Sequence, residues 1–235
     1  MDYPAVEQII AIAAAAGDTI MEVYDSEDID LTIKDDEHNS PLTRADLAAH
    51  DIINTELTKL TPNIPVISEE SSDHDQNRTR QRLIWLVDPL DGTKEFIKRN
   101  GQFTVNIALI DQGAPVLGVV YAPALGLLYW ADQDGAHKQV QNQPAEEIMV
   151  NLPRPNIKAA VSASHPSPEL SKWLDERNIK QTTAAGSSLK LCFVADGQVD
   201  VYPRLGPTME WDTAAGDAII IAAGGVTLSH PELQP

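Results

Sequence analysis

The chain contains an apolar run of strand length, Leu83–Val87, which ends directly in the turn sequence Asp-Pro-Leu-Asp-Gly-Thr of residues 88–93. Such a run, bounded by turn residues, is typical of a strand buried on both faces. Open α/β sheets place ligands beyond the carboxyl ends of these strands. The proline fixes φ and the glycine allows a tight turn, so we expect Asp88 and Asp91 to point into one space. Ordinary turn chemistry, which also favours Asp-Pro and Asp-Gly, is the alternative.

The oxygens of this turn suit a hard cation. Mg²⁺ prefers carboxylate and carbonyl ligands and keeps positions for water and for a substrate phosphate. We expect the carbonyl of Leu90 to turn outward between the two carboxylates, and the backbone N–H groups of Gly92, Thr93 and Lys94 to face a phosphate. The turn therefore predicts a magnesium and phosphate site.

Carboxylates also stand at the ends of three other predicted elements. Glu69 and Glu70 follow a predicted strand, Asp212 precedes an apolar helix, and Asp46 closes the capping-box pattern that begins at Thr43. Each has an ordinary explanation, as solvated glutamates, an N-cap residue and a capping box respectively. Taken together with the turn at residues 88–93, they suit two or more Mg²⁺ ions around a phosphate.

Other chemistries lack their sequence patterns. The chain has no G-x-x-x-x-G-K, G-x-G-x-x-G, H-E-x-x-H or G-x-S-x-G motif, and its six histidines are scattered. The single cysteine, Cys192, has apolar neighbours, which predicts buried packing and a reducing compartment. We therefore expect neither a zinc site nor a disulfide framework.

The charge balance excludes one class of partner. With 17 basic and 35 acidic residues, the net charge of −18 argues against binding a nucleic-acid polymer. An anionic substrate would also be repelled, unless bound cations reverse the field locally. No apolar stretch approaches the ~18 residues of a membrane helix, and the first residues do not resemble a signal peptide. We expect a cytoplasmic protein without a transmembrane segment.

Strands alternate with helices in the second part of the chain, which indicates an α/β layer stack. The polar segment 141–147 is the expected boundary between an N-terminal α+β half, 1–145, and a C-terminal α/β half, 146–235. Helices are predicted over 5–24, 43–59, 169–177, 187–195 and 212–223, and a polar excursion over 25–40. Strands are predicted over 64–68, 82–88, 103–110, 116–121, 127–130, 159–164 and 199–202, with a hairpin at 132–135.

These residues resemble the motifs of a known superfamily. Glu69-Glu70, the Asp-Pro-Leu-Asp-Gly-Thr of 88–93 and the Trp-Asp-Thr-Ala-Ala-Gly of 211–216 are similar to the three motifs of the inositol monophosphatase-like, lithium-sensitive phosphatases. Residues 85–110, Gly-Val-Val-Tyr-Ala-Pro at 118–123 and Tyr-Pro-Arg at 202–204 extend the resemblance over nearly the whole chain. Gly-Ser-Ser-Leu-Lys at 186–190 resembles the bisphosphate nucleotidase branch.

The resemblance implies a layered αβαβα sandwich with the site between its halves. It implies one Mg²⁺ on Glu69, Asp88 and the Leu90 carbonyl, and a second on Asp88, Asp91 and Asp212. The implied catalytic residues are Asp46 and Thr93, which activate water, and Glu70, which supports a third, weaker metal. The implied substrate-binding residues are Glu69, Leu90, Asp91, Gly92, Thr93, His165, Ser187, Ser188, Lys190, Arg204 and Asp212.

The implied reaction is hydrolysis of adenosine 3′,5′-bisphosphate to AMP and phosphate, with a role in sulfur metabolism. Lys190, Ser187 and Ser188 would hold the phosphate that is not transferred, His165 would lie near the adenine, and Arg204 is a further candidate. A sugar or inositol phosphatase, and a binding protein without catalysis, are the alternatives. Related bacterial proteins lie at the cytoplasmic face of the inner membrane, but no basic or amphipathic anchor is visible.

Family members continue past the glycine-containing segment 224–228 with a further short strand, whereas this sequence ends at Pro235. The resemblance therefore leaves open whether the second sheet is complete. The catalytic motifs all lie before this point. The pattern of residues does not indicate an oligomeric state.

Overall fold

The computed structural model describes residues 3–26, 29–34, 41–71, 81–164 and 167–229. The helices are Val6–Tyr24 (α1), Arg44–Leu60 (α2), Thr93–Ile97 (α3), Pro168–Glu176 (α4), Leu189–Ala195 (α5) and Glu210–Ala222 (α6). The strands are Thr32–Ile33 (β1), Pro41–Leu42 (β2), Val66–Ser68 (β3), Leu83–Asp91 (β4), Thr104–Asp111 (β5), Ala114–Ala122 (β6), Leu127–Asp132 (β7), Gly135–Val140 (β8), Glu146–Glu147 (β9), Lys158–Ser162 (β10) and Gln181–Ala185 (β11).

A seven-stranded sheet forms the centre of the fold. Its strand order is β3-β4-β5-β6-β7-β8-β9. Strand β3 runs parallel to β4, and all the later neighbours are antiparallel. Strands β10 and β11 form a separate parallel pair, and β1 and β2 form a short antiparallel pair. A single bridge between Ala159 and Val201 extends the β10–β11 pair.

Helices cover both faces of the large sheet. Helices α1 and α2 contact one face, and their buried positions recur with the spacing of one helix side. On the opposite face, α6 contacts β4 to β8, and α5 lies between α6 and strand β10. Two separate apolar cores result, one on each face of the sheet. The predicted layered α/β architecture is confirmed.

Small residues allow α6 to approach the sheet closely. A Cβ added to Gly118 of β6 would lie 2.4 Å from the carbonyl oxygen of Ala215, and one added to Gly216 would lie 2.7 Å from the Cβ of Leu191. The helix is therefore in direct contact with the backbone of β6 on one side and with α5 on the other. This contact fixes the position of Asp212 in the first turn of α6.

The structure departs from the predicted elements in several places. Helix α3, strands β9 and β11 and the pair β1–β2 were not predicted from the pattern. The strand predicted at 199–202 is reduced to the single bridge at Val201. Helix α5 begins at Leu189 instead of Ser187. Cys192 is buried and free, as predicted. The division of the chain at residue 145 stays a prediction.

Candidate active site

Strand β4 carries Asp88 and Asp91 to one end of the large sheet, where its register against β5 shifts between these two residues. Inside the turn, the Leu90 N–H donates to Asp88 Oδ1 at 3.1 Å. Gly92 has a φ of 93°, and a Cβ there would lie 3.2 Å from the carbonyl oxygen of Gln102. Since this left-handed conformation strains other residues, the turn requires glycine at this point.

One cleft of about 270 Å³ collects most of the predicted site residues. Those that line it are Glu69, Asp88, Leu90, Asp91, Gly92, Thr93, Ser187, Ser188, Lys190, Arg204 and Asp212. Among the described residues, Asp46 and Glu70 adjoin this lining, since Asp46 bonds to Thr93 and Glu70 follows Glu69 in the chain. His165 lies outside the described residues. Residues from 46 to 212 are therefore brought together at one site.

Burial raises the pKa of both aspartates of β4. Asp88 is 2% exposed, and its pKa lies well above the usual range because burial disfavours the charge and the neighbouring Glu69 and Asp91 are also negative. Burial and then the charge of Asp212 raise the pKa of Asp91 to about 6, although the Lys190 ammonium opposes this shift. Ionising the whole group requires a compensating cation.

Hydrogen-bond donors hold these carboxylates individually. Asp91 Oδ2 accepts from Ser188 Oγ at 2.7 Å, and Asp212 Oδ2 accepts from the Met209 N–H at 3.1 Å and from Thr208 Oγ1 at 2.9 Å. Within the part of the chain that the structure describes, no three acidic, histidine or cysteine side chains form a ready-made metal site. Because like charges repel, each of these carboxylates pairs with hydrogen-bond donors instead of approaching another carboxylate.

The chemistry of the donors fits Mg²⁺. The cleft offers carboxylate oxygens from β4, from the turn after β3 and from α6, together with the Leu90 carbonyl at its wall. All are hard oxygen ligands, which is the type that Mg²⁺ selects. Carboxylates whose pKa is raised by mutual repulsion are stabilised in the ionised form by a bound cation. The residues present therefore suit a divalent cation.

Asp46 and Thr93 form a hydrogen-bonded pair beside these carboxylates. Thr93 Oγ1 donates to Asp46 Oδ1 at 3.2 Å. The other oxygen, Asp46 Oδ2, accepts from the N–H and the hydroxyl of Thr43 at 2.8 Å and 2.6 Å. The capping box predicted at the start of α2 is thereby confirmed. Burial raises the pKa of Asp46, against the opposing effect of the Thr43 hydrogen bonds.

Lys34 is a site residue that the sequence pattern did not predict. Its Nζ lies 2.8 Å from Glu69 Oε1 and 2.6 Å from Glu70 Oε1. Burial acts to lower the pKa of Lys34, but the two glutamates outweigh it and raise the pKa above its usual value. Burial raises the pKa of both glutamates, and Lys34 opposes that shift. A cation from the short β1–β2 region therefore already offsets part of the negative charge of the two glutamates.

The cleft also contains the cationic side chain of Lys190. It is 5% exposed, and its Nζ lies 5.4 Å from the centre of the Tyr202 ring. Burial lowers the pKa of Lys190, while the charge of Asp91 acts against this shift. Arg204 also lines the cleft and donates to the carbonyl of Pro207 at 2.7 Å. The cleft thus contains basic as well as acidic side chains.

The two serines of the Gly-Ser-Ser-Leu-Lys segment have different surroundings. Ser187 has a φ of 46°, and its buried Oγ has no hydrogen-bond partner among the described residues. Ser188 is 3% exposed, and its Oγ contacts Asp91, the carbonyl of Asp212 and Asn106. Ser187 is therefore available to a ligand in the cleft, whereas Ser188 is already engaged by the protein.

None of the helices in the described ranges combines the length and the apolarity needed to cross a bilayer.

Relatives of the chain share both its sequence and its fold. The model of the inositol monophosphatase family matches residues 3–231. The 3′(2′),5′-bisphosphate nucleotidase CysQ of Salmonella typhimurium is 50% identical over 93% of this chain and 87% of its own length. The corresponding nucleotidase CysQ of Buchnera aphidicola is 44% identical over 93% of this chain and 82% of its own length.

A solved structure supports the same assignment. The crystal structure of CysQ from Bacteroides thetaiotaomicron, described as a bacterial member of the inositol monophosphatase family, superimposes with a TM-score of 0.80 and 40% identity. It covers 94% of this chain and 88% of its own. Together with the family match over residues 3–231, this similarity shows that the chain belongs to the inositol monophosphatase family.

Proposed function

We propose that the chain is a Mg²⁺-dependent phosphatase that hydrolyses adenosine 3′,5′-bisphosphate to AMP and phosphate. The observation that carries this proposal is the buried Lys190 ammonium in the same cleft as the carboxylates of β4. A substrate with one phosphate needs only the metal-binding carboxylates, whereas basic side chains in the same cleft suit a second anionic group. Relatives at 50% and 44% identity carry the name of such a nucleotidase. This activity belongs to sulfur metabolism and the recycling of the bisphosphate.

Oxygen ligands from β4, from the turn after β3 and from α6 would hold the metal ions. Glu69, Asp88 and the Leu90 carbonyl are proposed for one Mg²⁺, and Asp88, Asp91 and Asp212 for a second. Glu70, whose carboxylate is paired with Lys34, would support a third, weaker ion. When bound, divalent cations neutralise phosphate charge and make a water molecule more acidic.

The pair Asp46 and Thr93 is proposed to orient the attacking water and to accept its proton. The Thr93 hydroxyl is fixed by its bond to Asp46 Oδ1, and Thr43 immobilises the opposite oxygen of that carboxylate. Because burial raises the pKa of Asp46, it is a stronger base than a solvated aspartate. The pair would therefore orient the water and accept its proton from fixed positions.

The substrate is proposed to lie in this cleft. The backbone N–H groups of Gly92 and Thr93 would receive the phosphate that is transferred. Lys190, Ser187 and Arg204 also line the cleft and would hold the other phosphate. His165, outside the described residues, is retained from the resemblance as a neighbour of the adenine.

We also propose that the chain works as two halves, residues 1–145 and 146–235, in the cytoplasm. Support comes from the distribution of the site. Asp88 and Asp91 lie in the first half, whereas Lys190 and Asp212 lie in the second. The single buried cysteine, Cys192, suits a reducing compartment.

A substrate panel tests the function. Phosphate release should be measured from adenosine 3′,5′-bisphosphate, inositol 1-phosphate and fructose 1,6-bisphosphate, in Mg²⁺ with and without Li⁺, on wild type and Asp91→Asn. We expect the nucleotide to be the best substrate, Asp91→Asn to be inactive on all three, and Li⁺ to inhibit. Equal or faster turnover of inositol phosphate would overturn the nucleotidase assignment in favour of a sugar phosphatase.

A further inference from the structure

Asn106 is a buried polar residue of β5 that adjoins the site. It is 1% exposed and pairs in register with Asp88 of β4. Its Nδ2 lies 2.8 Å from Ser188 Oγ and 3.5 Å from Asp91 Oδ2. An amide buried at this depth needs a partner, and here the partner is the residue that contacts Asp91. Asn106 is therefore placed to act on Asp91 and not on the substrate.

Ser188 connects the two halves of the site through a single hydroxyl. Its Oγ lies 2.7 Å from Asp91 Oδ2 and 2.9 Å from the carbonyl oxygen of Asp212. Both of these atoms accept hydrogen bonds, so the one hydroxyl proton must be directed to one of them. The N–H of Asn106 then donates to the remaining lone pair of Ser188. The order of donation runs from Asn106 to Ser188, and from Ser188 to one of its two acceptors.

We propose that Asn106 and Ser188 are positioning residues that set the direction of the Asp91 carboxylate and tie it to the first turn of α6. This inference rests on the proposed function, since it assumes that Asp91 is a ligand of Mg²⁺. Groups that hydrogen-bond a metal-binding side chain orient it, and removing them weakens metal binding.

As a positioning residue, Ser188 has a different role from the one that the resemblance implies. The resemblance places its hydroxyl on the phosphate that is not transferred. To donate to a phosphate, however, the hydroxyl would have to stop donating to Asp91 or to the Asp212 carbonyl, whichever accepts its proton. A buried acceptor left without its donor is costly, so this exchange is unfavourable. Ser187, whose buried Oγ has no partner among the described residues, is the serine that remains for the ligand.

Mg²⁺ binding to the protein alone tests the proposal. Ser188→Ala and Asn106→Leu each remove a hydrogen-bond donor without adding appreciable volume. Thr104→Val is the matched control on β5, the strand that also carries Asn106. The Thr104 hydroxyl is buried and has no partner among the described residues. By isothermal calorimetry with MgCl₂, we expect Ser188→Ala and Asn106→Leu to weaken binding by about 10-fold to 100-fold. Thr104→Val should bind as wild type does.

Two further measurements separate positioning from substrate contact. At saturating Mg²⁺, Ser188→Ala should keep the wild-type KM for adenosine 3′,5′-bisphosphate, whereas loss of a phosphate contact would raise it. Because Asn106 acts through Ser188, the double variant should lose no more Mg²⁺ affinity than Ser188→Ala alone. If Asn106→Leu does not fold, as judged by circular dichroism in EDTA, Ser188→Ala and Thr104→Val decide the matter.

The outcomes distinguish this inference from the proposed function. Wild-type Mg²⁺ affinity in Ser188→Ala, together with a raised KM, would overturn the positioning role and restore the phosphate contact. Weakened Mg²⁺ binding in both variants would support it, whichever phosphate monoester proves to be the best substrate. A wild-type protein that binds no Mg²⁺ would overturn the inference together with the metal assignment.

Discussion

The hydroxyl of Thr93 donates to Asp46 at 3.2 Å and joins residues that are 47 positions apart in the chain. Asp46 lies in the first turn of α2, and Thr93 is the first residue of α3. The capping box that begins α2 also holds the second oxygen of Asp46. A motif that ordinarily only starts a helix therefore immobilises the proposed base.

Asp46→Asn should reduce turnover while leaving metal binding in place. The amide keeps the size of the carboxylate but cannot accept a proton, so we expect kcat to fall by about 10²-fold to 10⁴-fold. One cap hydrogen bond is lost as well, at a cost of about 1 kcal/mol in the free energy of unfolding. Steady-state kinetics and a Mg²⁺ thermal-shift titration check both parts. Turnover close to wild type would remove Asp46 from the mechanism.

The metal-free protein should become less stable as the pH rises. Folding raises the pKa of Asp91 to about 6, so the contribution of Asp91 to stability is present below pH ~4 and is lost as the pH rises through about 6. The pKa of Asp88 is raised as well, which acts in the same direction. We expect the Tm in EDTA to fall between pH 5 and pH 8. Saturating Mg²⁺ favours the ionised carboxylates and should reduce or reverse this fall. A Tm in EDTA that is constant or rises across this range would contradict the electrostatic description.

Lys34→Met should increase the stabilisation that Mg²⁺ provides. Without the ammonium, Glu69 and Glu70 lose the cation that neutralises them, so the Tm in EDTA should drop and the gain on adding Mg²⁺ should grow. Lys59→Met is the control, since its pair with Glu56 is exposed and such pairs contribute little. Thermal unfolding with and without MgCl₂ measures both variants. An unchanged Mg²⁺ gain in Lys34→Met would show that Lys34 does not occupy the proposed cation site.

The local sequence pattern predicts some elements of the fold and misses others. Strand β4 was predictable because five apolar residues precede a turn of fixed chemistry, whereas the Gln-Thr-Thr-Ala-Ala sequence of β11 has no apolar alternation. Lys34 lies in a polar segment without periodicity. Asn106 interrupts an apolar strand, and nothing in the local sequence tells which carboxylate it faces. Both become site residues only through tertiary contacts.

Gly118→Ala should weaken both the fold and the metal site. The added methyl would lie 2.4 Å from the carbonyl oxygen of Ala215 and 2.8 Å from the Cβ of Ala218, so α6 must move away from the sheet. Overpacking of this kind costs about 1–3 kcal/mol in the free energy of unfolding. Since Asp212 moves with α6, Mg²⁺ affinity should fall as well. Urea unfolding and Mg²⁺ calorimetry provide the two measurements.

Gly206→Ala is the matched control for this prediction. No atom lies within 4 Å of a Cβ added there, although Gly206 is close in sequence to Arg204 of the cleft. Its stability and Mg²⁺ affinity should equal those of wild type within error. If Gly118→Ala destabilised the protein but bound Mg²⁺ normally, the position of α6 would not control the site.

The close contact between α6 and β6 also bears on how the chain assembles during its synthesis. Strand β4, which carries Asp88 and Asp91, leaves the ribosome well before α6, which lies half the chain later. Early segments can fold first, and at that stage the acidic end of β4 faces water, where its charges are screened. The energetic conflict among the carboxylates increases when the glycine contact brings Asp212 close to them. We therefore expect docking of α6 to be a late step of folding, and the availability of divalent cations to influence its rate.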